Sequence, residues 1–136
     1  MAFCVPSREV RRHKRRVAFD SFKNAVIGQE SSGRYGIANT EGSGAMGVGQ
    51  VMPETARVLA ARIGLPYRPD LMSGQSAEAR RYQDAITEAA AKEAWHAGGG
   101  DIRRAAMYYH GGSDASGWGP KTRRYADEVT TRMRGG

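Results

Sequence analysis

A carboxyl group that gives a proton to a departing oxygen and later takes one back works best when its pKa lies near neutral. A sequence arranges that by setting the group on an apolar face. Phe19, Phe22 and Val26 step by three and four residues, the period of one helical face, and the next step of four reaches Glu30. Burial disfavours the anion, so the spacing predicts a Glu30 pKa above the usual ~4.3. A glutamate at a helix end that simply reaches water has the same spacing, and periodicity leaves both readings open.

Other chemistry-bearing residues are scattered. Tyr125 stands at spacing four from Val129 and Met133, a pattern that fits packing as well as catalysis. Among the acids, Glu41 sits in a glycine-rich stretch, Glu54 in the first turn of an expected helix where an acid suits the dipole, and Asp70 behind a proline connector. His13, His96 and His110 are isolated, and Cys4 is the single cysteine, so neither a disulfide framework nor a multi-cysteine zinc site is available. Residues 42–49 lack the Lys-Ser/Thr ending of a phosphate loop. Trp118, between glycines, suits stacking on a sugar or filling a hole under a loop; Trp95 reads as core.

The elements that must position these residues are mainly helical. The first expected helix runs from Ala18 and stops at Ser31-Ser32-Gly33. Residues 33–49 read as a long loop or a small irregular β region, and a loop of that length within a compact domain is usually functional or disordered. Pro53 opens a helix with Ala56, Leu59, Ala60 and Ile63 at helical spacing, ended by Gly64. Residues 65–69 form a rigid connector. Residues 76–97 form an alanine-rich helix with Ala79, Tyr82, Ile86, Ala89, Ala90 and Trp95 inward, and Asp101 caps a helix running to Tyr109. The last helix starts near Pro120. The fold class is mainly α: one domain of five or six short helices with at most a small β element.

The chain has 136 residues, 40% of them hydrophobic, and no apolar run of the length a membrane span needs. Its net charge of +7 is uneven. Residues 1–16 hold six basic side chains and one acid, Glu9, while the other 120 residues net only +2. The chain therefore divides into a basic arm, 1–17, and a folded domain, 18–136. The arm reads as a solvated tail, as a contact for an anionic polymer or membrane surface, or, least well, as a nucleic-acid reader, since no groove-binding motif follows it. It is no secretory signal, because no apolar segment follows the charges.

Four ordered blocks carry a family resemblance: Gln29-Glu30-Ser31; Gly47-Val48-Gly49-Gln50-Val51-Met52-Pro53-Glu54-Thr55-Ala56; Ala106-Met107-Tyr108-Tyr109-His110-Gly111-Gly112; and Pro120-Lys121-Thr122-Arg123-Arg124-Tyr125. Over about residues 18–131 the chain resembles the soluble-type lytic transglycosylases, lysozyme-superfamily enzymes similar to goose-type lysozyme. The resemblance implies a lysozyme-like fold, a peptidoglycan glycan strand as substrate, and no metal or cofactor. It makes Glu30 the single catalytic acid/base. Ser31 would orient it or bond near the scissile sugar, Gln50 and Met52 would line the saccharide groove, and Tyr109 and His110 would touch an N-acetyl group. Tyr125 would stand beside Glu30 and hold its carboxyl, and Thr122 shares that motif. The plainer alternatives are core packing for Met52 and a helix-entry cap for Gln50.

Two positions depart from the family. Gly49 stands where methionine is usual, which predicts a thinner groove wall. His110 replaces asparagine, which predicts binding that responds to pH, and leaves a second catalytic base as a minor reading. Three functions follow: a lytic transglycosylase; a hydrolytic muramidase completed by Glu41 or a held water; and a non-catalytic structural or wall-binding module. An extracytoplasmic substrate without an export signal fits an enzyme that reaches the periplasmic wall from a phage particle or at lysis, a secretion-apparatus accessory protein, or a domain of a longer chain, and the phage reading is favoured. The basic arm would then serve contacts with other virion proteins.

Overall fold

The computed structural model describes residues 7–135. Cys4 and the first six residues of the arm lie outside the described residues, as does Gly136. Six α-helices follow in order: α1 (Arg8–Ser31), α2 (Pro53–Arg62), α3 (Pro69–Met72), α4 (Ala77–Gly98), α5 (Ile102–Gly111) and α6 (Pro120–Gly135). A 3-10 turn, Ala115–Gly117, precedes α6. Among the described residues, β structure is limited to two antiparallel bridges, Ala38 with Met46 and Met46 with Val51. The mainly α single domain with a small β element is therefore borne out. One helix, α1, is longer than expected, at 24 residues, while α4, at 22, matches the expected stretch 76–97 within a residue at each end.

The expected start of the first helix is wrong by ten residues. Ser7 caps α1 by accepting from the Val10 amide at 3.2 Å, and Glu9 places an acid in the first turn. Arginine and lysine are good helix formers, so the basic stretch 8–17 extends the helix rather than preceding it. The stop is as expected: Ser32 turns left-handed at φ 55° and its amide closes on Gly28 O at 3.1 Å.

Two apolar clusters share α4. The larger joins α1, α5, α6 and the second half of α4, with Phe22, Val26, Ala94, Ala106 and Val129 fully buried. Trp95 meets Phe19 edge-on with ring centres 6.0 Å apart and tilts on Phe22 at 5.4 Å, the core role expected of it. The smaller joins α2, α3, the first half of α4 and Val51 from the loop. On α4 the buried face includes Gln83, Thr87, Ala91 and Ala94, and Ala89 and Ala90 are only half-buried. Ile63, expected inside, is exposed because α2 ends at Arg62 and Ile63 turns out as its C-cap. The connector behind Gly64 contains α3, a single turn opened by Pro69 that the proline-rich sequence conceals.

Gln83 fastens the smaller cluster. Its Oε1 accepts from the Gly36 and Val48 amides at 2.8 and 3.1 Å, and its Nε2 donates to Leu71 O and Gly74 O at 2.8 and 3.0 Å. All four hydrogen bonds available to a glutamine are made, in a fully buried side chain. One residue of α4 thereby holds both the glycine-rich loop and the α3 connector.

Candidate active site

Between the clusters lies a cleft of about 550 Å³, with Glu30, Gln50, Met52, Tyr109 and His110 among its lining residues. Five residues drawn from three of the four sequence blocks thus converge. Glu30 occupies the last turn of α1, on the stripe set by Phe22 and Val26. Burial pushes its carboxyl up to about 7, opposed by the Tyr125 phenol. The expectation of a raised carboxyl is met for the reason given by the spacing.

Tyr125 is buried behind Glu30 on α6. Its hydroxyl has no partner at hydrogen-bond distance among the described residues. It is nonetheless close enough for the Glu30 charge to hold the phenol protonated, after burial itself, and for the phenol to favour the carboxylate in return. The contact is looser than a formed hydrogen bond, and the phenol proton is left to meet Glu30 as it ionises. His110 stacks on the Tyr125 ring, with centroids 4.7 Å apart and planes 30° apart. Its Nδ1 lies 3.2 Å from Thr122 Oγ1. Burial lowers the His110 pKa, assisted by Lys121 and opposed by Glu128, so the ring is neutral at neutral pH.

The remaining site residues are tied to the backbone. Gln50 adopts a left-handed φ of 51°, and its Nε2 donates to Ile37 O and Gly47 O, both at 3.0 Å. It pins the loop, leaves its carbonyl oxygen free of those bonds, and does not cap α2. Met52 is the residue that precedes α2, without a side-chain cap, and it is 45% exposed on the cleft. Its reading as a core residue is overturned. Tyr109 donates its hydroxyl proton to Gly49 O at 2.6 Å, which commits the phenol to the loop and leaves only a lone pair for a ligand. Burial, and then the Glu30 charge, keeps that phenol un-ionised.

Two expectations need correction, and one open alternative is decided. Ser31 is 2% exposed, and its hydroxyl sits 2.7 Å from Val48 O and 3.1 Å from Ile27 O while accepting from the Gly33 amide. It ties the end of α1 to the loop from behind and does not face the cleft. Gly49 is not a thinned wall: it is buried, and a Cβ there would stand 2.4 Å from Thr87 Oγ1 and 2.6 Å from Thr87 Cγ2. The loop lies so tightly on α4 that no side chain fits. Trp118 is not among the cleft residues; its Nε1 donates to Gly112 O at 3.0 Å and its ring abuts Gly111, so it packs a loop.

Sequence reasoning overlooked the far wall. Tyr108 donates to Glu93 Oε1 at 2.9 Å, and Arg62 reaches Glu93 at 3.4 Å, which joins α2, α4 and α5 at the cleft. Tyr108 lies within the third block; Glu93 carried no sequence signal. Glu41 and Asn39 also line the cleft, and Asn39 Oδ1 accepts from the Glu41 amide at 2.8 Å. The cleft is lined by three carboxylates, Glu30, Glu41 and Glu93, and by neither lysine nor arginine. Among the described residues no group of three His, Cys, Asp or Glu side chains is placed to hold a metal. No helix among them is long and apolar enough to cross a membrane.

The chain is similar to a protein named Transglycosylase from Enterobacteria phage PRD1. The two are 33% identical over 104 residues, covering 76% of this chain and 33% of that relative. This chain spans about a third of its length. No family model matches the sequence, and no solved structure matches it significantly. The similarity relates the chain to a phage transglycosylase.

Proposed function

We propose that this chain is a peptidoglycan lytic transglycosylase that cleaves the bond between N-acetylmuramic acid and N-acetylglucosamine. The observation that carries the reading is a carboxyl held near pKa 7 at the floor of an open cleft, with a phenol beside it. The phage relative and the four sequence blocks support it.

In this mechanism Glu30, protonated, gives its proton to the oxygen linking the two sugars as the bond from that oxygen to C1 of the muramic residue breaks. The N-acetyl carbonyl of the same residue steadies the positive charge at C1. The Glu30 carboxylate then takes the proton of that residue's own C6 hydroxyl, whose oxygen closes on C1. A 1,6-anhydro ring forms, no water is consumed, and Glu30 regains its proton. The attack is intramolecular, which saves the entropy of capturing a second molecule. Tyr125, poised to bond the carboxylate, steadies the form that exists between the two proton transfers.

Glu41, a second carboxylate lining the cleft, favours a second reading, hydrolysis, since a pair of carboxylates is the usual equipment of a glycoside hydrolase. Mass spectrometry of a peptidoglycan digest separates them. Anhydro ends, one water lighter, support the transglycosylase; reducing ends support the muramidase. Wall binding with no soluble product supports the non-catalytic module. The site of action that follows is the bacterial wall during phage infection.

A further inference from the structure

The N-terminal third of α1 carries a feature that the cleft chemistry does not use. Arg8 and Arg12 lie eleven and seven residues before Phe19, and Arg11 and Arg15 lie eleven and seven before Phe22. Those intervals repeat on a helix, so the stripe that is apolar through the body continues outward as a cationic one. Every residue from Arg8 to Val17 is exposed, Val10 and Val17 included at 45% and 54%. Ten helical residues thus stand beyond the core. The last turn of α6 carries Arg132, which donates to Gln29 Oε1 at 2.8 Å and borders one depression with Val17 and Asp20, so the cations that act are those of the extension itself. Like charges at i, i+4 and cations at the positive end of a helix dipole both oppose this helix. A polyanion laid against it removes both penalties.

The cleft has the opposite character, with three carboxylates and no lysine or arginine in its lining. The lining offers an anionic polymer neither lysine nor arginine, and Arg62 beside it is paired with Glu93. We infer that the α1 extension is an electrostatic tether for the wall polymer itself, gripping the carboxylates of its peptide stems. This rests on the proposed function for the identity of the polymer. The helix puts Glu30 between about 20 and 33 Å from the cations, at 1.5 Å per residue. The tether therefore engages a neighbouring stretch of wall and holds the cleft within reach of a strand.

The test uses the full chain with Arg12→Gln, Lys14→Gln, Arg15→Gln and Arg16→Gln together, at exposed positions where glutamine keeps helix propensity. Circular dichroism checks the fold. Both proteins are also made with Glu30→Gln and pelleted with purified sacculi, so binding is read without turnover. The tether predicts about a tenfold loss of binding at low salt in the neutralised chain, and a parent interaction that fades by about 0.5 M salt. It also predicts weaker parent binding to sacculi whose stem carboxylates have been amidated, and unchanged turnover of short glycans stripped of stems. Equal pelleting of the two proteins overturns it. So does a parent that, at matched negative charge, leaves sacculi for duplex DNA or for phosphatidylglycerol vesicles. Absence of turnover in every form would refute the proposed activity while the pelleting still decides the tether.

Discussion

At the scale of single residues, Glu30 links catalysis to stability. Its pKa rises from an ordinary 4.5 to about 7 on folding. Between those values the native state holds more protons than the unfolded chain, so stability falls as pH rises from about 4.5 to 7 and then levels. The raised pKa therefore works against the fold at neutral pH by about 3 kcal/mol, from 1.36 kcal/mol per pKa unit. Glu30→Gln is expected to unfold at a higher temperature than the parent at pH 8 and at nearly the same temperature at pH 4, with activity down by at least about a hundredfold. Calorimetry at the two pH values checks the first part; an equal difference at both would refute the buried acid.

Tyr125 makes the complementary case. Its hydroxyl has no formed hydrogen bond to lose, so Tyr125→Phe is expected to change stability little. It removes the group that lowers the Glu30 pKa, so the alkaline limb of the pH–rate profile moves upward. Activity falls by about ten- to a hundredfold as the carboxyl loses its positioning partner. A large drop in melting temperature with an unmoved limb would mark Tyr125 as mere packing.

At the scale of elements, the loop between α1 and α2 matters most. It has almost no regular structure, yet its backbone is pinned by Gln83, Gln50, Ser31 and Tyr109 from three helices and from within. Gln83→Leu keeps the volume and strands two amides and two carbonyls. The expected loss is more than about 3 kcal/mol, with the cleft disordered before α1 and α6 are. Hydrogen exchange reads this directly: protection should vanish at the Gly36 and Val48 amides first. Had exchange quickened uniformly along the chain, the pinning role would be refuted. Little of this showed in the sequence, because a glutamine in an alanine-rich helix reads as a solvent-facing residue until its neighbours in space are known.

At the scale of the whole molecule, α4 belongs to both clusters, and the cleft runs between them. Phe22→Ala, in the larger cluster, is expected to cost about 3–5 kcal/mol. Because α4 cannot melt in one cluster and survive in the other, unfolding should remain a single transition by far- and near-UV circular dichroism alike. Two separated transitions would show lobes that fold independently.

Sequence by itself determined the helical class, most helix ends and the place of Glu30. Those are local matters: periodicity, capping residues and glycine or proline breaks act over a few positions. It also brought forward Gln50, Met52, Tyr109 and His110, which the fold assembles around one cleft. Tertiary structure alone decided which groups face the cleft and which hold it from behind. Ser31 and Gly49 looked like groove residues and turned out to be joints, while Glu93, which no spacing announced, joined Tyr108 of the third block in one wall. The reason is that a side chain's partner is set by helices crossing at distant points in the chain, and hydrogen-bond satisfaction and steric fit there follow from three-dimensional neighbours rather than from order along the sequence.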